Sequence, residues 1–99
     1  MAEEKITVLA SLKAKEGKSE QVKKEGLAMI RPTRAEAGCV SYDFHQDTQN
    51  KNIFVFYETW ANKEAFEKHI QTPHLQNFLA KTKELLDGPL DVKILKKLS

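Results

Sequence analysis

Four stretches of this chain carry apolar or large residues at their even-numbered positions, three of them alternating with polar residues and the other, Ile53 to Trp60, apolar almost throughout. Ile6, Val8, Ala10, Leu12 and Ala14 interleave with Thr7, Ser11, Lys13 and Lys15. Val40, Tyr42 and Phe44 form a second run, Phe54, Phe56, Glu58 and Trp60 a third, and Leu90, Val92 and Ile94 a fourth. Side chains along a strand point to opposite faces in turn, so period two predicts four strands with one apolar face. That face must be covered by something of a different period.

The cover lies between the strands. Glu16-Gly17-Lys18-Ser19 reads as a turn, with Lys18 or Ser19 opening a helix. Val22, Gly26, Met29, Ile30 and Thr33 then recur at helical spacing. Pro32 has no N–H for the carbonyl of Ala28, so it kinks or ends the regular helix, and Gly38 finishes the segment. Asp47 to Asn52 is a polar loop that makes strands two and three an antiparallel hairpin. Asn62 caps a short helix that places Phe66, His69 and Ile70 on one inward face. Thr72 and Pro73 stop it and start another, as N-cap and N1. Leu75, Phe78, Leu79, Thr82, Leu85 and Leu86 give that helix an apolar stripe, ended by Asp87-Gly88-Pro89. The order β-α-β-β-α-α-β matches the split βαβ motif, an α+β ferredoxin-like fold with a four-stranded antiparallel sheet. Ninety-nine residues make one domain, 1–99.

The odd face of the sheet is less polar than a solvated face should be. Leu9, Ile53, Val55, Tyr57 and Leu95 all lie on it. A patch of that kind marks an interface, and the same sheet from a second copy covers it most simply. A homodimer is therefore expected.

Charge and composition exclude several classes. Lys alternates with Glu along the helices and the net charge is +2, which describes a solvated surface and not a nucleic-acid footprint. No apolar run is long enough for a membrane span. The opening Met1 to Lys5 is acidic and has no signal-like apolar core. Cys39 is a single cysteine, fits a reducing compartment and reads as packing. A cytoplasmic protein is expected. No glycine-rich phosphate loop supports a flavin or nicotinamide. His69 and His74 stand five apart with Pro73 between them, unlike a zinc-gripping helical pair, so no metal is expected.

The titratable groups gather around one stretch, Tyr57 to His74, which holds the single Trp and two of the three His. His69 goes inward with Phe66 and Ile70. It reads as a general base or as a buried histidine satisfied by hydrogen bonds. Glu58 shares its parity with Trp60, so it is an inward carboxylate in need of a partner. Arg34 is the expected partner of Glu36 or Glu58, in a structural ion pair tying the first helix to the sheet. His74 stands at a helix start, able to cap or to reach a ligand.

Two segments resemble one known family. Thr33-Arg34-Ala35-Glu36-Ala37-Gly38-Cys39-Val40-Ser41-Tyr42 is similar to its T-R-x-E-x-G-C-x-x-Y segment. Tyr57-Glu58-Thr59-Trp60, followed by Phe66, His69 and Thr72-Pro73-His74, resembles its E-x-W…F-x-x-H…H segment. The family is the antibiotic biosynthesis monooxygenase domain, which includes small quinol monooxygenases, and the resemblance runs from about Ile6 to Ile94. It implies a dimeric α+β barrel and cofactor-free oxygenation of a small quinol-like or phenolic substrate by molecular oxygen. His69 and Trp60 are the implied catalytic residues, with Tyr42, Phe66, His74 and Phe78 around the substrate. An isomerase or other proton-transfer enzyme using the same histidine, and a domain that only binds a small ligand, are the alternatives.

Overall fold

The computed structural model describes residues 4–99, so the acidic opening Met1 to Glu3 lies outside the described residues. The elements are β1 (Ile6–Lys13), α1 (Ser19–Ala28), α2 (Ile30–Arg34), β2 (Cys39–Gln46), β3 (Ile53–Trp60), α3 (Lys63–Ile70), α4 (Pro73–Thr82) and β4 (Asp91–Leu95). The strands form one four-stranded antiparallel sheet, as expected, in the order β2-β3-β1-β4. The even positions face the helices: Val8, Ala10, Leu12, Tyr42, Phe54, Phe56 and Trp60 are all buried in the core.

Local chemistry sets most boundaries. The first helical segment breaks at Met29, between α1 and α2, where Pro32 removes the N–H that Ala28 would accept. α1 can approach the sheet closely because Gly26 has no side chain. A Cβ there would run into the Phe44 ring, which stacks on Phe54 and Phe56. Asn62 caps α3, its side chain accepting from the Ala65 N–H at 2.8 Å. Thr72 caps α4, and its hydroxyl also donates to the His69 carbonyl at 2.8 Å. That double bond of one side chain fixes the corner between the two helices.

Three expectations are corrected. α4 ends at Thr82, not near Leu86: the Thr82 hydroxyl turns back to the Phe78 carbonyl, and Leu86 instead bridges to Ala14. β4 begins at Asp91, and its even residues point as expected but are not covered, Val92 and Ile94 remaining 47% and 60% exposed. Ile70, expected inside, is 42% exposed. These residues rim an opening in the helical layer. On the odd face Leu9 pairs with Tyr57 across β1 and β3, and Tyr57 and Leu95 are exposed. Among the described residues no helix is long and apolar enough to cross a membrane.

Candidate active site

The opening leads into a cavity of about 440 Å³ between the sheet and helices α3 and α4. Val8, Ala10 and Phe56 form its floor on the sheet, and Phe66, Leu75 and Phe78 its helical wall. Leu90, Val92 and Ile94 carry it to the rim. Among its lining residues only Tyr42, Glu58 and His69 bring polar side chains.

His69 enters from α3 and is 2% exposed. Its Nδ1 lies 2.8 Å from Glu36 Oε2, in the turn that follows α2. The same carboxylate oxygen lies 2.6 Å from His74 Nε2, at the start of α4. A carboxylate only accepts, so both rings donate to it. His69 therefore carries its proton on Nδ1 and keeps the Nε2 lone pair on the opposite edge of the ring. Burial pushes the His69 pKa down, and so does the charge of His74, while the hydrogen bond and charge of Glu36 act against them. The net direction is down, so the ring is neutral at neutral pH and available as a base.

Other expected residues fall into place around this cluster. Trp60 is wholly buried and stands behind His69, ring centroids 4.6 Å apart, and does not line the cavity. It can fix the imidazole but cannot stack on a molecule in the cavity. Tyr42, Phe66 and Phe78 line it, Tyr42 meeting His69 edge-on at 5.7 Å. Burial and the charge of Glu58 hold the Tyr42 hydroxyl far above its ordinary pKa, so it stays a neutral donor. His74 serves the Glu36 cluster and is not a lining residue. Burial pushes the Cys39 thiol up, which keeps it unreactive.

The expected ion pair of Arg34 with Glu36 or Glu58 does not form. Arg34 donates to Asp43 at 2.9 Å and to the Tyr42 carbonyl at 3.0 Å, tying α2 to β2. Glu36 faces the two histidines instead, and Glu58 accepts from Trp60 Nε1 at 2.9 Å. Glu36 thus stands in the site and not in the scaffold. Nothing local in the sequence signals this, because His69 and His74 lie 33 and 38 residues away. Glu36 joins the two histidines in a cluster of three possible metal ligands. Two imidazoles and a carboxylate are a donor set for a divalent transition metal, and here their ligand atoms lie within 4.8 Å of one another. The direct contacts of 2.6 and 2.8 Å hold the three as a hydrogen-bonded unit.

Comparison with known proteins bears on what such a site does. Residues 5–81 match the family described as antibiotic biosynthesis monooxygenase. The chain is 39% identical over 87 residues to "Putative monooxygenase YcnE" of Bacillus subtilis, covering 88% of this chain and 92% of that protein. It is 38% identical over 95 residues to the uncharacterized protein sll1783 of Synechocystis, covering 96% of this chain but only 65% of that longer protein. Among solved structures, PA3566 from Pseudomonas aeruginosa superposes with a TM-score of 0.94 at 32% identity, over 100% of this chain and 99% of that one.

Proposed function

Because this chain belongs to the antibiotic biosynthesis monooxygenase family, we propose that it is a monooxygenase that needs no bound cofactor and acts on a small phenolic or quinol-like molecule. The observation that carries the reading is His69, buried at the cavity wall, with Nδ1 given to Glu36 and its other edge left for a ligand. In this reading Nε2 takes the proton of a ring hydroxyl. Glu36 stabilises the imidazolium that forms, as a carboxylate behind a catalytic imidazole does. The anion left behind is electron-rich and passes electron density to molecular oxygen. One oxygen atom enters the substrate, and the other leaves as water with two hydrogens of the substrate, so no outside reductant is consumed. The apolar walls exclude water from the anion.

Phe66 and Phe78 line the cavity and leave it open, which favours a ligand site over a packed core. The apolar odd face, with Leu9, Ile53, Val55, Tyr57 and Leu95, supports a homodimer through the sheet. An oxygen electrode with a panel of quinols and phenols, after chelator treatment, tests the chemistry. His69→Ala should lower uptake by roughly two to four orders of magnitude. Equal enzyme-dependent uptake by both proteins would remove His69 as the base. Turnover of an enolisable substrate without oxygen uptake would favour a proton-transfer enzyme.

A further inference from the structure

The cavity contains a second acid-base group that the reaction above leaves unused. Glu58 sits in β3 opposite Tyr42 on β2 and Val8 on β1, and it is 4% exposed. Its Oε1 accepts from Trp60 Nε1 at 2.9 Å. No hydrogen bond reaches Oε2 from the described residues, and no Lys, Arg or His among them forms an ion pair with this carboxyl. Yet Oε2 is not sealed in the core as an orphan, as Asn52 Oδ1 is; Glu58 borders the cavity. Burying a carboxyl costs several kcal/mol unless its lone pairs are met. Trp60 meets one oxygen, and Glu58 borders the cavity, from which a ligand can meet the other.

We propose that Glu58 is a ligand-binding residue whose free oxygen receives a hydroxyl or N–H donor of a small, otherwise apolar molecule. Trp60 touches both Glu58 and the His69 ring, so the two acceptors stand at the same inner end of the cavity. Leu79, Val92 and Ile94 line it elsewhere and offer nothing polar. The ligand is therefore polar at one end, with a donor there, and its apolar body points toward the rim formed by β4. This rests on the cavity being the substrate site and not on oxygenation itself.

Calorimetric titration under nitrogen tests it, with naphthol and its methyl ether as probes of equal ring shape. The pH is held well above 7, because burial and the charge of Glu36 push the Glu58 carboxyl up to about 7 against the hold of the Trp60 N–H. Wild type is expected to prefer naphthol roughly ten- to a hundredfold, the worth of a hydrogen bond to a charged group. Glu58→Gln keeps an oxygen for Trp60 but turns an NH₂ toward the cavity, so the preference should collapse or reverse. In wild type the preference should also fall as pH drops below 7 and Glu58 takes up a proton, which keeps the test alive should Glu58→Gln fail to fold. The same preference in wild type and Glu58→Gln overturns the proposal, as does a wild-type preference that does not fall with pH or the failure of wild type to bind either probe. Retained donor preference with no oxygen uptake would remove the oxygenase reading and leave Glu58 in place.

Discussion

Adding one methyl group at Gly38 should unsettle both the fold and the site. Gly38 joins α2 to β2 at φ +86, a left-handed conformation, and a Cβ there would stand 2.5 Å from Ala65 Cβ on α3. Its carbonyl also takes the Ala61 N–H at 2.8 Å, just before that helix. Gly38→Ala carries two costs. The left-handed backbone costs ~1–2 kcal/mol for a residue with a side chain. The overlap costs a further ~1–3 kcal/mol, because the Ala65 methyl has no rotamer into which it can swing. Together they come to roughly 2–5 kcal/mol against a total stability of about 5–15 kcal/mol for a domain. Ala65→Gly removes the overlap but weakens α3 by about 1 kcal/mol. Urea unfolding of both single variants and the double should therefore give a double variant more stable than the sum by ~1–3 kcal/mol, the overlap term alone. Additivity within about 0.5 kcal/mol would refute the close approach of Gly38 to α3. Ala65 lies one turn before His69, so a shift of α3 in Gly38→Ala should also weaken the His69–Glu36 contact.

Three other outcomes follow from the geometry. Glu58 rises from an ordinary 4.5 to about 7 in the fold, so the folded chain holds a proton that the unfolded chain releases. Its contribution is full below about 4.5 and is lost as pH rises through about 7; urea midpoints should fall across that window in wild type and stay flatter in Glu58→Gln. Tyr57→Asp should shift sedimentation at micromolar concentration from twice the 11.3 kDa chain mass toward the chain mass itself, while Lys83→Asp leaves it unchanged; a wild-type monomer would refute the sheet-to-sheet dimer. Asn62→Ala should cost ~1 kcal/mol in urea unfolding by freeing the Ala65 N–H.

The elements were largely legible because their signals are local. Alternation marks three of the strands and a short apolar run marks β3, Pro32 divides the first helical segment, and Asn62 and Thr72-Pro73 open the two later helices. The end of α4 was not legible: Leu85 and Leu86 continue the stripe, and only the bridge of Leu86 to Ala14 in the folded sheet shows that the chain has left the helix. The site divides the same way. His69, Tyr42, Phe66 and Phe78 follow from face periodicity. Glu36 does not, because its partners arrive from two later helices, and Arg34 finds Asp43 across the α2–β2 corner instead. The Glu58–Trp60 bond was within reach of the sequence, since residues two apart on a strand share a face.

The chemistry proposed for His69 requires that Glu36 hold its proton on Nδ1 and leave the lone pair on Nε2. Long-range ¹H–¹⁵N correlation of the histidine side chains at neutral pH reads this directly and needs no substrate. Wild-type His69 should be neutral with Nδ1 protonated and Nε2 bare, and Glu36→Gln, whose amide can donate as well as accept, should show a mixture of tautomers. A wild-type His69 that is doubly protonated, or that carries its single proton on Nε2, would contradict it.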